Sequence, residues 1–443
     1  MTITNTKLSR RAALLLPLGM AGCTTITNLL TPVSKRLPGV RENILPERNG
    51  LELDAAAGTS VTLPPPVPMT DWTQPGGGPS HAVGGIIGPT SFSKRWQADM
   101  GTGNGYRRKL VVLPVISQGR VFTMDVDGVV DAFVAKTGDF LWQFDPAPEA
   151  TDSTNIGGGL STDGTHLFAT TGYGDLIALD PAAGKVVWRV ALGGPARSAA
   201  TVADGVLYLI TLDARLLAYS AKDGTSIWAY QGESADTSAL SISAPAVDGN
   251  FVTAAFGSGE LVALDRQSGV EVWTDSLSTA RTLVSAEDIA AVTAPTVISN
   301  GNVFAVGLGG LMLAVDVKSG RRVWERDVGG FEMPCVVGDL VFVYGDGHLL
   351  ALTASEGTAL WIVAIPQYRN MKAERGPITW HGPIFVGDKL WMAGDNGQML
   401  AIDPADGKFG KPKRLGDAVA LQPVIADGVW YVEFESGAIA AYS

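Results

Sequence analysis

Cysteine and histidine are scarce in this 443-residue chain, which contains two cysteines and four histidines. Two cysteines exclude a disulfide framework and a cysteine-rich zinc site. The histidines are scattered, and no pair has the i, i+4 spacing of a helical metal site; they are His81, His166, His348 and His381. The sequence therefore predicts neither a resident metal ion nor a bound cofactor.

Catalytic motifs are missing as well. The chain has no Gly-x-Ser-x-Gly elbow and no phosphate-binding loop of the Gly-x4-Gly-Lys type. The run Asp125-Val-Asp127-Gly128 resembles the start of a calcium loop, but it lacks the later ligand positions. It also stands where other copies of a repeat have a turn, so we interpret it as a hairpin turn. We expect a protein that is not an enzyme.

Basic residues are outnumbered by acidic ones, 33 to 44, which gives a formal net charge of -11. An acidic chain is repelled by nucleic acid and by anionic membrane surfaces, so we expect neither as a partner of the folded body. Apolar residues make up 46% of the chain, which is enough to bury large cores.

Glycine, in contrast, is abundant, and 54 glycines interrupt short apolar runs. In the stretch 157–188, turns at 163–164, 172–175 and 180–184 separate four such runs. Gly, Asn and Asp adopt turn dihedrals at low cost, so these runs are predicted to be short antiparallel strands. One such unit makes a four-stranded sheet.

The unit recurs around the frame Asp-x3-Gly-x3-Trp. Three copies are complete, three keep only Gly and Trp, and a seventh has Lys in place of Trp; the copies end at Trp188, Trp273, Trp324, Trp142, Trp228, Trp361 and Lys411. With Trp96 included, successive tryptophans lie 37 to 51 residues apart. A period in the forties built from four short strands is typical of a β-propeller blade. We interpret the tryptophans as packing between blades and the glycines as a turn requirement.

The two ends of the repeat region predict how the ring closes. The last copy, 421–443, lacks its fourth strand, whereas 92–96 reads as a fourth strand with no blade before it. Pairing the two completes one blade and removes the open sheet edges. We therefore predict an all-β, eight-bladed β-propeller over residues 91–443.

The first 90 residues have a different character. Residues 7–23 combine a basic start, a short apolar run and small residues before Cys23, as in an export signal over 1–22. The ending Met20-Ala-Gly-Cys23 resembles a bacterial lipobox, which implies a lipid-modified (palmitate-type) amino-terminal Cys23. The alternative is an ordinary signal peptide with an incidental cysteine.

Residues 23–90 are rich in Pro, Gly, Ser and Thr, so we expect an irregular tether, with Trp72 docked on the outer surface of the ring.

The repeat, in particular 178–188, resembles the tryptophan-docking repeat of pyrroloquinoline-quinone (PQQ) propellers. One branch of that superfamily contains quinoprotein alcohol dehydrogenases, which carry a vicinal cysteine pair and calcium ligands. The other is the BamB family, lipoproteins of the outer-membrane β-barrel assembly machine. With one cysteine outside the export signal, this chain cannot supply the pair. Its segments 37–45 and 71–78 also resemble the amino-terminal region of alphaproteobacterial BamB proteins.

The resemblance to the BamB family implies a scaffold without a cofactor, lipid-anchored at the periplasmic face of the outer membrane. Its expected partners are the POTRA region of BamA and unfolded outer-membrane proteins. The alternative is a periplasmic PQQ-dependent oxidoreductase or a quinone-binding relic. In the family, loops between central blades contact BamA, and the corresponding loops here are 236–243 and 278–293. The residues implied as contacts are Leu240, Ile242, Arg281, Leu283 and Asp288; the alternative is that these are ordinary surface loops.

Overall fold

Thirty-four short strands and two 3₁₀ turns make up the regular structure of the described part of the chain. The computed structural model describes residues 49–54, 62–148, 155–235, 243–277 and 292–443. Contacts divide the chain into two units, 1–47 and 48–443, and every described residue belongs to the second.

Eight antiparallel four-stranded sheets form the ring, as predicted. Blade 1 contains β2 (Val115–Ser117), β3 (Arg120–Met124), β4 (Val130–Val134) and β5 (Phe140–Phe144), and blade 2 contains β6 (Gly158–Thr162), β7 (Leu167–Thr171), β8 (Asp175–Leu179) and β9 (Val186–Ala191). Blade 3 contains β10 (Thr201–Ala203), β11 (Val206–Ile210), β12 (Arg215–Ser220) and β13 (Ser226–Gln231), and blade 4 contains β14 (Ala246–Asp248), β15 (Phe251–Ala255), β16 (Glu260–Asp265) and β17 (Glu271–Ser276). Blade 5 contains β18 (Val297–Ser299), β19 (Asn302–Val306), β20 (Met312–Asp316) and β21 (Arg322–Arg326), and blade 6 contains β22 (Cys335–Val337), β23 (Leu340–Gly345), β24 (His348–Thr353) and β25 (Ala359–Ala364). Blade 7 contains β28 (Trp380–Val386), β29 (Lys389–Gly394), β30 (Gln398–Ile402) and β31 (Lys413–Arg414). A separate hairpin of β26 (Tyr368–Asn370) and β27 (Arg375–Pro377) lies between blades 6 and 7, and the 3₁₀ turns are Asn49–Leu51 and Pro75–Gly77.

Blade 8 is completed from both ends of the chain. Its sheet contains β32 (Val424–Ala426), β33 (Val429–Glu433), β34 (Ala438–Tyr442) and, as the outermost strand, β1 (Lys94–Asp99). Trp96 pairs with Ala441 in this sheet. The predicted closure of the ring by the two terminal strands is therefore confirmed.

The middle strands of each blade are buried on both faces, because a neighbouring blade covers each side. All five residues of β7 are buried, whereas β9 is largely exposed. A strand covered on both faces carries a continuous apolar run and not an alternating one. This explains why the second and third strands of each unit read as unbroken runs of Val, Leu, Ala and Phe.

Each repeated tryptophan packs on the glycine turn of the next blade, which confirms its role between blades. The indole Nε1 donates a hydrogen bond of 2.8 to 3.3 Å to a backbone carbonyl of that turn. The glycine under each ring has φ between 67° and 77°, and a Cβ there would lie 2.5 to 2.8 Å from the indole. The turn therefore needs glycine for its dihedral and also for the close approach of the ring.

The interface between blades 7 and 8 lacks this packing. Lys411 stands where the tryptophan is missing, and in blade 8 no turn joins β34 to β1, the strands that correspond to those linked by the glycine turn in other blades. Phe92 instead stacks on Tyr442 with ring centroids 5.2 Å apart. The ammonium of Lys413 lies 5.7 Å from the Phe92 ring, in a cation–π contact.

Residues 69–86, which we call the inner lap, run once around the innermost strands of the ring. Their partners follow the order of the blades, from blade 8 through blade 7. The hydrogen bonds run from Asp427 N to Met69 O (2.6 Å), Ile116 N to Trp72 O (2.9 Å), Thr162 N to Thr73 O (2.9 Å), Val202 N to Gln74 Oε1 (2.8 Å), Val247 N to Pro79 O (2.8 Å), Ile298 N to Ser80 O (2.9 Å) and Gly387 N to Ile86 O (2.7 Å). Blade 6 is contacted by packing, since Ala82 packs against a hydrophobic cluster that includes Val336 and Val341 of this blade.

The inner lap satisfies a requirement of the ring itself. The first strand of each blade has a free inner edge, and an unpaired buried N–H group is costly. The lap supplies the acceptors. Its backbone contains isolated bridges and the turn Pro75–Gly77, and Trp72 is 1% exposed and pairs with Ile116 of β2. The prediction that Trp72 docks on the outer surface of the ring was therefore wrong, because the inner edge offers both the apolar burial and the free N–H groups.

A second part of the amino-terminal region lies against blades 5 and 6. The Arg326 guanidinium donates to the carbonyls of Gly50 (2.7 Å) and Glu52 (2.5 Å) and to the Asp54 carboxylate (3.0 Å). The Ala359 N–H, together with Arg326, lowers the pKa of Asp54. Residues 49–54 are thus fixed to the outside of the ring.

Candidate interaction face

The two ends of the ring differ in what they carry. The four strands of a blade alternate in direction. The connections from one blade to the next therefore lie at the same end of the ring as the turns between the second and third strands of each blade. We call this end the loop face. The opposite end, which carries the repeated glycine turns, is the turn face. The loop-face connections are 100–114, 145–157, 192–200, 232–245, 277–296, 327–334, 365–379 and 415–423.

The described residues on either side of both predicted partner-binding loops lie at the loop face. The loops lie in the connections from blade 3 to blade 4 and from blade 4 to blade 5, and the second of these, 277–296, is the longest of the eight. The predicted contact residues Leu240, Ile242, Arg281, Leu283 and Asp288 lie outside the described residues, as does Cys23. The buried residues Leu277 and Val292 fix the two ends of the longer loop to the core.

A cup opens in the centre of the loop face. Its cavity has a volume of about 230 Å³, and its wall is lined by residues that lie in the first strand of a blade or in the connection leading to it, for each of the eight blades. Pro75 and Gly76 of the inner lap form its floor.

The wall of the cup is mainly apolar, with a polar group on each of two opposite sides. On one side His381 Nδ1 lies 2.9 Å from Glu332 Oε1, and the Gly382 N–H donates to Glu332 Oε2 at 3.2 Å. Arg197 belongs to the wall of blade 3, across the ring from blade 7. Loss of water around the Arg197 guanidinium lowers its pKa. Sequence analysis missed the Glu332–His381 pair because the two residues are far apart in sequence and belong to no motif.

The cup does not fit a quinone with its calcium ion. Glu332 is the one carboxylate among the residues that line it, and both its oxygens already accept hydrogen bonds. No group of three or more His, Cys, Asp or Glu side chains within the described residues is arranged to hold a metal ion. Cys335 lies outside the lining, and burial raises the pKa of its thiol to about 12, so it is unsuited to thiolate chemistry.

The turn predicted at Asp125 is confirmed. The Gly128 N–H donates to Asp125 O at 3.0 Å, and Asp125 Oδ1 accepts from the Asp127 and Val129 N–H groups at 2.9 Å each. These oxygens serve the turn itself.

Within the described ranges, no helix has the length and apolar character needed to cross a membrane.

Comparison with known proteins gives consistent matches. A family model described as outer membrane protein assembly factor BamB matches residues 126–363 and 345–443. The BamB of Yersinia pestis is 27% identical over 364 residues, covering 80% of this chain and 89% of that protein. The BamB of Burkholderia pseudomallei is 26% identical over 348 residues, covering 78% and 86%.

Solved structures show the same fold. BamB from Moraxella catarrhalis aligns with a TM-score of 0.66 at 17% identity, covering 80% of this chain and all of that one. The quinohemoprotein alcohol dehydrogenase of Comamonas testosteroni aligns with a TM-score of 0.61 at 15% identity, covering 84% and 80%. At such identities the likeness shows a shared propeller and carries no information on the site.

Proposed function

Since this chain belongs to the BamB family of outer membrane protein assembly factors, we propose that it is a scaffold of the barrel assembly machine. In this proposal the loop face binds the POTRA region of BamA through loops 236–243 and 278–293. The ring carries out no reaction. It holds BamA, and unfolded barrel proteins that approach the same face, at the outer membrane.

The family match carries this proposal, and the geometry of the described residues supports it. The described residues that precede and follow the two loops lie at one face of the ring, where long connections are free to vary while the strands below stay fixed. Leu240, Ile242 and Leu283 supply apolar anchors, with Arg281 and Asp288 as a charged rim, the usual composition of a protein interface.

Removal of these anchors is expected to release BamA. Leu240→Asp places a charge in the apolar centre of the contact, and Arg281→Glu reverses a rim charge, so we expect each to reduce BamA recovery about tenfold or more. The measurement is co-purification with BamA from solubilised envelopes. Lys222→Glu, on the exposed turn face of blade 3, is the matched control and should leave recovery unchanged. Wild-type recovery with both loop variants would refute the proposed site.

We also propose that acyl chains on Cys23 hold the protein at the periplasmic face of the outer membrane. Each buried methylene contributes ~0.8 kcal/mol, so two or three chains give firm attachment. Cys23→Ala should move the protein from the outer-membrane fraction to the soluble periplasmic fraction. Continued sedimentation of that variant with the outer membrane would argue against a lipid anchor.

The PQQ-dependent oxidoreductase remains the competing function, since the dehydrogenase structures share the fold. Titration with the quinone and calcium separates the two. Stoichiometric quinone binding with dye-linked alcohol oxidation would reject the scaffold, whereas the poor fit of the cup predicts neither.

A further inference from the structure

The connection from blade 8 to blade 1 ends in an exposed tip. Its residues 105–109, Gly-Tyr-Arg-Arg-Lys, extend from the loop face, and we call them the tip. The Gly105 N–H donates to Arg108 O at 2.8 Å, so Tyr106 and Arg107 occupy the two positions of a tight turn. Tyr106 is 94% exposed, more than any other large apolar or aromatic side chain of the described residues.

The base of this connection is held firmly by two neighbouring turns. The Asn104 N–H and side-chain amide donate to the carbonyl and the carboxylate of Glu435, at 2.7 and 3.1 Å. Asn104 Oδ1 accepts from the Leu110 N–H at 2.7 Å, and Leu110 itself is buried. On the blade 1 side, the Thr102 N–H donates to Asp125 Oδ2 at 2.9 Å. The exposed tyrosine therefore stands on a fixed support and not on a loose loop.

The charge of the tip differs from that of the chain as a whole. Arg108 forms an ion pair with Asp127, while Arg107 and Lys109 are exposed and form no ion pair with another residue of the described part. Two cationic residues thus follow an exposed tyrosine, on a protein whose net charge is -11. Such a local reversal of sign is complementary to an acidic surface.

We propose that the tip is a docking site for an acidic surface patch of a partner protein. Tyrosine and arginine are the residue types enriched where protein interfaces concentrate their binding energy, and a tyrosine has only two side-chain torsions to order on binding. An anionic membrane presents a broad field that also repels the acidic body of the ring, whereas a protein patch acts only on the tip. The tip is separate from loops 236–243 and 278–293, so this site stands or falls independently of the BamA contact proposed above.

Site-specific photo-crosslinking of the full chain in cells tests the proposal. A benzoyl-phenylalanine replaces Tyr106, and a second protein carries the same probe at Phe140, which is 58% exposed on the outer strand of blade 1. We expect a discrete protein adduct from position 106 and no adduct of that mass from position 140. Peptide sequencing of the adduct should place the crosslink beside a cluster of Asp or Glu in the partner.

Charge reversal then separates docking from chance proximity. Arg107→Glu with Lys109→Glu should lower the adduct yield about tenfold or more, because opposite charges across the contact become like charges. Arg107→Lys with Lys109→Arg should retain it, and Lys136→Glu, exposed on the turn face, should leave it unchanged. Unaltered thermal unfolding of the variants shows that the ring is intact. Crosslinking to lipid, an adduct insensitive to charge reversal, or no adduct at all would overturn the proposal.

Discussion

Glu433 is a carboxyl group in surroundings poorly suited to its chemistry. It is the last residue of β33, a position that Met124 occupies in the corresponding strand of blade 1. The side chain is buried, and neither carboxylate oxygen has a hydrogen-bond partner among the described residues. Burial raises the pKa of Glu433 well above its ordinary value of 4.5, so the folded chain carries this group protonated where the unfolded chain has released the proton.

Glu433 therefore makes stability depend on pH. Above about pH 4.5 the folded state binds more protons than the unfolded state, so this contribution to the free energy of unfolding falls as pH rises. Glu433→Met is expected to stabilise the ring at pH 7 by about 1–3 kcal/mol, the cost of a buried polar group without a partner. The gain should shrink at pH 4.

Denaturant unfolding at pH 4, 5.5 and 7 measures this effect. Glu356→Met, an exposed carboxylate on a turn of blade 6, serves as the control and should change little at any pH. A loss of stability in Glu433→Met at pH 7, or a gain that is the same at all three pH values, would contradict the assignment.

Blades are joined mainly by one recurring contact, a tryptophan seated on the next blade's glycine turn. The indole buries apolar area and its N–H group is satisfied by a carbonyl of that turn. The glycine contributes through the absence of a side chain, which lets the ring approach the backbone. A substitution there has two costs, the strain of a positive φ and the displacement of the ring.

The two costs can be separated with a matched pair of glycines. Gly320 has φ +70°, and its added Cβ would lie 2.6 Å from Trp273, whereas Gly301 has φ +78° with nothing within 4 Å. Gly301→Ala should cost about 1 kcal/mol for strain alone. Gly320→Ala should cost about 1–3 kcal/mol more, since the core must accommodate an overpacked atom.

Equilibrium unfolding monitored by tryptophan fluorescence measures both glycine variants. Equal losses of stability at the two positions would show that the glycine is needed for its dihedral alone. The packing of the indole on the turn would then contribute little to the joint between blades.

The ring as a whole is held from outside and from within. Outside, β1 joins the last blade, and the backbone groups of Ser93 and Ser443 bond each other in both directions, at 3.0 and 2.9 Å. Inside, the inner lap forms hydrogen bonds with seven blades and packs on the remaining one, blade 6. Pro75 and Gly76 of the lap also line the central cup.

Loosening the inner lap is expected to open it before the ring unfolds. Trp72→Ala removes the largest buried side chain of the lap, at a cost of about 3–5 kcal/mol. Under native conditions we expect protease cleavage within residues 62–90 to rise about tenfold or more, because cleavage follows the population of the open form. The strands of the eight blades should stay as resistant as in the wild type.

Limited proteolysis with mass spectrometry of the fragments measures this opening. Val67→Ala, at a half-exposed position next to the lap, is the matched control and should be cleaved like the wild type. Simultaneous loss of the ring fragment in Trp72→Ala would mean that lap and ring form one cooperative unit. An unchanged cleavage rate would mean that Trp72 contributes little to holding the lap.

The order of apolar runs, glycine turns and tryptophans was sufficient to predict the sheets, their number and the closure of the ring. This succeeded because a blade is a local unit, in which each strand pairs with its neighbour in sequence and the same packing problem recurs eight times. The family and its broad role follow from the same repeats, while the contact residues Leu240, Ile242, Arg281, Leu283 and Asp288 remain predictions.

The path of residues 69–86, the cup and the burial of Glu433 depended on the folded ring. The inner lap has no sequence period, because its successive residues contact blades that are far apart in sequence. Its Pro and Gly content also resembles that of a free linker. Glu433 and the Glu332–His381 pair acquire their environments only when non-neighbouring strands come together. Local pairing leaves a signal in the order of residues, whereas contacts set by closure of the ring leave none.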